Sequence, residues 1–209
     1  MSRKVVIAPD KFKGSLTATQ AARAIQRGVL CTVPDAECVL CPMADGGEGT
    51  VDVFLERGAH REVAHVLGPL GTFVDATYAV AQDTAILEMS SASGLDLLAP
   101  GDYDPLDADT FGTGQLIRAA LDAGTRHMIV GLGGSATNDV GTGMLRALGV
   151  RFLDEAGGEL RGGMLSYERL ASIDLARLDS RLAQSRIEAA VDVDNPLRKQ
   201  FSFYLEAVK

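Results

Sequence analysis

An α/β fold, with a doubly wound parallel sheet beside a second, mixed α/β unit, is predicted from three observations. Short apolar runs alternate with segments of helical periodicity, in the order strand, helix, strand, helix, from Lys4 to Gly58. Between Arg61 and Met89 the pattern changes to strand after strand, which marks a separate sheet. Three glycine-rich stretches, Ala44-Asp-Gly-Gly-Glu-Gly-Thr50, Thr110-Phe-Gly-Thr-Gly114 and Gly131-Leu-Gly-Gly-Ser-Ala-Thr-Asn-Asp139, sit where a strand hands over to a helix. Open α/β sheets bind their ligands at such crevices.

Residues 4–8 read as a short buried strand. Thr17 and Gln20 make a capping box for a helix running to about Val29, with Ala21, Ala22, Ile25 and Val29 on one face. Residues 37–40 form the second strand and lead into the Asp45 loop. The next helix carries Val51, Phe54 and Leu55 at i, i+3 and i+4, and Gly58 is placed to end it. Residues 61–67, 73–81 and 84–89 follow as strands, the first two joined by a Gly68-Pro-Leu-Gly71 turn. Residues 115–123 predict a helix burying Leu116, Ile117, Ala120 and Leu121 and stopped by Gly124. Residues 127–131 are the next strand, and a helix containing Met144, Leu145 and Leu148 comes after the Gly131 loop. Gly157-Gly158 and Gly162-Gly163 mark turns, and residues 187–193 read as a last buried strand. The change of character puts a domain boundary after residue 65. Residues 1–65 are then the N-terminal part of a Rossmann- or flavodoxin-like domain, and residues 66–197 a second α/β domain carrying glycine-rich loops.

Composition narrows the function. With 46% hydrophobic and 23% charged residues the chain is an ordinary globular protein, and its net charge is −8. No Lys/Arg run exceeds Arg198-Lys199, so a nucleic acid or an acidic membrane is not an expected partner; a homo-oligomer is left open. The first apolar run stops at Pro9-Asp10, too short for a signal peptide or a membrane span, which makes the cytoplasm the expected location. Cys31, Cys38 and Cys41 are an odd, clustered set and read as reduced, buried structural cysteines. In an extended segment Cys38 and Cys41 point to opposite faces, which disfavours a redox or zinc site. His60, His65 and His127 lack ligand spacing and read as surface or strand-edge residues.

Glycine-rich loops at helix starts turn successive backbone N–H groups toward one ligand, so they hold phosphate or carboxylate without a basic side chain. Asp45, Glu48, Asp139, Asp192 and Asp194 supply carboxylates suited to Mg²⁺ or to a hydroxyl proton. Phosphate handling is therefore expected. Lys11 and Lys13 follow a strand end, where substrate contact competes with a solvated helix entry. Gly131-Leu-Gly-Gly-Ser-Ala136 also fits the dinucleotide template G-x-G-x-x-A, with Asp154 and Glu155 placed as ribose-binding acids; a nicotinamide-dependent oxidoreductase is thus an alternative. There is no G-x-x-x-x-G-K-[ST] sequence for a P-loop.

Six ordered segments resemble the successive signatures of the bacterial type I glycerate kinases. They are Ala8-Pro-Asp-Lys-Phe-Lys-Gly-Ser-Leu-Thr-Ala18, Met43-Ala-Asp-Gly-Gly-Glu-Gly-Thr50, Glu88-Met-Ser-Ser-Ala-Ser-Gly-Leu95, Phe111-Gly-Thr-Gly-Gln-Leu-Ile117, Gly133-Gly-Ser-Ala-Thr-Asn-Asp139 and Asp192-Val-Asp-Asn-Pro-Leu197. The resemblance implies ATP- and Mg²⁺-dependent phosphorylation of D-glycerate, usually at the 2-hydroxyl to give 2-phosphoglycerate, in a two-domain α/β protein with its site between the domains.

Residue chemistry and motif position together assign Asp45, Lys11, Lys13 and Asp192 to catalysis. Asp10, Ser15, Gly46, Gly47 and Glu48 are assigned to the substrate. Gly112, Gly114, Gly133, Gly134, Ser135, Asn138 and Asp139 are assigned to the nucleotide, and Asp192 and Asp194 to Mg²⁺, with roles exchangeable among the carboxylates. Three positions depart from the family pattern. Val140 replaces a usual glycine, Gln115 stands where Glu is common, and Val191 where Cys is frequent. The resemblance stops after Leu197, and residues 198–209 read as a tail outside it. A truncated chain with an incomplete first domain is expected on that ground, and a catalytically inactive remnant is the second alternative.

Overall fold

The computed structural model describes residues 3–191. In chain order the elements are β1 (Lys4–Ile7), α1 (Ala18–Thr32), β2 (Glu37–Leu40), α2 (Thr50–Glu56), β3 (His60–Leu67), β4 (Phe73–Ala81), β5 (Thr84–Glu88), α3 (Ser90–Ser93), α4 (Phe111–Asp122), β6 (His127–Gly131), α5 (Thr142–Ala147), β7 (Arg151–Leu153), β8 (Ser172–Asp174) and β9 (Arg186–Ala190), with short 3₁₀ turns between them. No described helix is long and apolar enough to cross a membrane.

β1 and β2 pair in parallel, Lys4 opposite Glu37 and Ile7 opposite Leu40, with α1 as the crossover. This β1–α1–β2 unit is the predicted fragment of a doubly wound sheet. The capping box forms as read: Thr17 Oγ1 accepts the Gln20 amide at 3.2 Å, and Gln20 Oε1 accepts the Thr17 amide at 3.0 Å. The expected burial is only partly met. Ala21 and Ala22 are buried, but Ile25 is 43% exposed, and β1 buries Ile7 while leaving Val6 63% exposed. Among the described residues two strands are too narrow a sheet to cover the outer turns of α1 or both faces of β1.

A five-stranded sheet follows, in the order β3-β4-β5-β6-β9, antiparallel at its first two pairings and parallel at its last two. β5 is apolar from Ala85 to Leu87, and its packing explains why. Ala85 and Leu87 join the main core with Leu116, Ile117, Ala120 and Leu121 of α4 and with Met128 and Val130 of β6, whereas Ile86 packs on the other face with Ala79 and with Val51 of α2. A strand covered on both faces loses the polar alternation. α2 packs on this sheet through Val51, and β3 pairs with β4 from His60 onward.

Three other expectations are corrected. The last strand starts at Arg186 and lies at the edge of the sheet among the described residues, so Ile187 is 45% exposed rather than buried; residues beyond 191 lie outside the described ones. α4 begins at Phe111, four positions before the expected start. Cys31 is exposed, and Cys38 and Cys41 are half-buried, all three as free thiols.

Candidate active site

Two loops, one after β2 and one after β6, leave strands of different sheets and lean on each other. Gly46, at φ +87°, lies in the first loop, and its carbonyl accepts the Gly133 amide of the second at 3.2 Å. Their backbones are so close that side chains are excluded. A Cβ on Gly131 would fall 2.1 Å from Gly46 O, and one on Gly133 would fall 2.6 Å from Gly47 Cα. A Cβ on Gly46 would meet Ala190 O, at the end of β9, at 2.4 Å. These glycines are required by mutual approach of the chain.

Lys11 reaches this junction from the end of β1. Its Nζ donates to Asp45 Oδ1 at 2.8 Å, and the same oxygen accepts the Gly47 amide at 2.9 Å. A methyl group on Gly47 would lie 3.4 Å from Lys11 Nζ and 3.8 Å from Gly133 Cα, so lysine, carboxylate and both loops converge. The Lys11 hydrogen bond, followed by the Gly47 amide, holds the Asp45 carboxyl below its usual value. Partial burial works against the charge on Lys11. The Asp45 hydrogen bond and the charges of Asp45, Asp10 and Glu48 outweigh it, so the ammonium is held above its usual range.

Asp10, Lys11, Lys13, Ser15 and Glu48 line one cleft of about 570 Å³, together with Arg61. Asp10 Oδ1 accepts the Lys11 amide at 2.6 Å, and Ser15 Oγ closes the turn onto Phe12 O at 3.1 Å, so both shape the loop that presents Lys11 and Lys13.

In the second loop Gly134 sits at φ +74°, and its carbonyl accepts the Leu95 amide at 2.9 Å. The Gly134 and Ser135 amides donate to no other group among the described residues. Ser135 Oγ instead accepts the Thr137 amide at 3.0 Å. Two adjacent free amides at a left-handed glycine are an anion-binding geometry.

Packing gives three of the residues assigned to the nucleotide a structural role of their own. Gly112 and Gly114 lie inside the first turn of α4, where a Cβ would fall 1.8 Å from Leu67 O and 2.3 Å from Met144 O respectively. Close helix packing accounts for both. Asp139 is 3% exposed, and its carboxylate accepts from the Thr110 amide and hydroxyl at 3.0 and 2.8 Å, the Gly141 amide at 3.1 Å and the Gly143 amide at 2.7 Å. It is a buried tie between the starts of α4 and α5. Asn138 Nδ2 faces Met164 Sδ at 3.6 Å. The dinucleotide template fails structurally, because α5 begins only at Thr142, and Asp154 turns back to the amides of Ala156 and Gly158.

Sequence reasoning gave Glu88 no role. It is 7% exposed at the end of β5, and its Oε1 accepts the Val51 amide at 2.5 Å. A lone Glu closing an apolar strand was the available signal. Asp192 and Asp194 lie outside the described residues. Among those described, no group of three or more His, Cys, Asp or Glu side chains could by itself hold a metal ion.

A lysine–carboxylate pair, and loop amides without a partner among the described residues, stand at the carboxyl ends of strands, where open α/β folds place their ligand sites. The sequence profile described as the glycerate kinase family matches residues 5–200. A Bacillus subtilis (strain 168) protein named glycerate kinase is 50% identical over 197 residues, covering 93% of this chain and 52% of its own. An Escherichia coli (strain K12) glycerate 2-kinase is 47% identical over 198 residues, covering 93% and 52%. A crystal structure from Salmonella typhimurium LT2, assigned as glycerate kinase 2, superposes with a TM-score of 0.83 at 48% identity, covering 94% of this chain and 54% of that one. The chain belongs to the glycerate kinase family, and it spans about half the length of these relatives.

Proposed function

We propose that this chain carries a glycerate kinase site, transferring the γ-phosphoryl group of ATP to the 2-hydroxyl of D-glycerate to give 2-phosphoglycerate and ADP. The observation that carries this reading is the convergence of Lys11, Asp45, Gly47 and Gly133 at one point. Phosphoryl transfer asks the protein mainly to position the reactants and neutralise charge.

Each group has a role that follows from its surroundings. Lys13 and Lys11, in the cleft lined by Asp10, Ser15 and Glu48, hold the glycerate carboxylate and the transferring group. Asp45 is a weak base while Lys11 holds its Oδ1. Its second oxygen orients the substrate hydroxyl and takes the proton late, as the oxygen–phosphorus bond forms. The Gly134 and Ser135 amides bind phosphate oxygens. Asp192 and Asp194, which lie outside the described residues, would hold Mg²⁺, which would supply charge neutralisation on the phosphates. The net charge of −8 suits small-molecule substrates rather than a nucleic acid, and the cytoplasm is the location that goes with this reading.

Phosphorus NMR of the chain with Mg-ATP and D-glycerate tests the assignment. The expected result is stoichiometric ADP and 2-phosphoglycerate. ADP formed at the same rate without glycerate contradicts it.

A further inference from the structure

Glu88 ends an otherwise apolar strand that packing could complete without it. A buried carboxylate costs free energy unless donors meet it. Those donors come from one place: the amides of Val51 and Gly49, which flank the first residue of α2 and follow directly on Asp45-Gly-Gly-Glu48. The Glu88 backbone also sits in register with Gly131 of β6, and the next amide, that of Met89, donates to Gly131 O at 2.9 Å. Glu88 thus holds the end of the first loop by its side chain, and its neighbour Met89 holds the start of the second by its backbone amide.

We propose that Glu88 is a positioning residue, whose carboxylate fixes the Gly49 and Val51 amides and, through them, sets Asp45 and Gly47 against Lys11 and Gly133. The inference rests on the kinase reading only where it is read out as turnover. Burial pushes the Glu88 carboxyl above the usual glutamate value; the Val51 and Gly49 amides oppose this, while the charges of Asp52 on α2 and Glu48 on the loop add to it. A raised folded pKa means that ionised Glu88 lowers stability as pH rises from the usual glutamate value through the raised one. Glu88→Gln, which keeps an acceptor of the same shape, is therefore expected to be at least as stable at neutral pH.

The test compares the full chain with Glu88→Gln and Glu88→Asp, by nitrogen-15 NMR and by D-glycerate-dependent ADP release across pH. In Glu88→Gln the Val51, Gly47 and Gly133 resonances move while the unfolding midpoint holds. The turnover number falls by roughly 10- to 100-fold at similar KM. The acid limb of the wild-type profile, set above the usual glutamate range, disappears in Glu88→Gln and returns in Glu88→Asp. Gly47 and Gly133 resonances at their wild-type positions overturn the proposal. If Glu88→Gln does not fold, the same resonances in Glu88→Asp decide it. If the wild type makes no ADP from D-glycerate, the kinase reading fails, and the resonances still judge Glu88.

Discussion

Lys11 and Asp45 form an ion pair at 2.8 Å across 34 positions of sequence, joining the loop after β1 to the loop after β2. The pair sets its own pH window. Asp45 titrates below its ordinary 3.8, so its contribution is present above that value and is lost as pH falls through the lower folded one. Lys11 titrates above its ordinary 10.5, so its contribution is present below that value and is lost as pH rises through the higher folded one. Lys11→Met should let the Asp45 carboxyl return toward 3.8, as read by carbon-13 NMR titration. An unchanged titration would assign the depression to the Gly47 amide alone.

The interlocked loops separate two kinds of glycine. Gly133→Ala puts a methyl group 2.6 Å from Gly47 Cα, backbone against backbone, and should cost about 1–3 kcal/mol in urea unfolding. At Gly28, inside α1, an added methyl group would meet nothing within 4 Å, and Gly28→Ala should add roughly 0.5–1 kcal/mol. Equal effects at the two positions would deny that the loops touch.

Val140 is 67% exposed and sits at φ +56°, a left-handed conformation that a β-branched residue resists. It occupies the position where the resemblance carries glycine. Relief of about 1–2 kcal/mol of backbone strain, less the added chain entropy of glycine, predicts that Val140→Gly gains roughly 0.5–1 kcal/mol. Urea midpoints at equal slope measure it, and a loss of stability would mean that the strain is absent in solution.

On the proposed reading, phosphate binds the Gly134 and Ser135 amides, which have no partner among the described residues. In Gly134→Ala a methyl group meets Ser90 Cβ at 3.2 Å on a backbone at φ +74°, which turns these amides away. ATP affinity by calorimetry should drop about tenfold or more, equivalent to about 1.4 kcal/mol. Unchanged affinity in the folded variant would move the phosphate site elsewhere.

Local signals in the sequence were legible where local physics decides. The Thr17–Gln20 capping box, the helix stop at Gly58 and the strands 37–40 and 73–81 stand as read, because caps and turn glycines act over a few residues. Exposure was misjudged at Val6, Ile25 and Ile187, since periodicity identifies an apolar face without saying what covers it. Gly112 and Gly114 illustrate a second limit. Glycine needed to face a ligand and glycine needed to face Leu67 O or Met144 O look identical in sequence. Asp139 was found by motif, but its four protein donors come from residues 110–143 and only the fold brings them together.

The most direct test of the central claim is the steady-state kinetics of Asp45→Asn with D-glycerate and Mg-ATP. Loss of a general base usually costs about 10²–10⁴-fold, and the Lys11 bond already weakens Asp45 as a base, so a drop in turnover number of about 10²-fold with little change in KM is predicted. Turnover close to wild type in a variant that keeps its unfolding midpoint would contradict it, and would reduce the Lys11–Asp45 pair to a structural clasp between two loops.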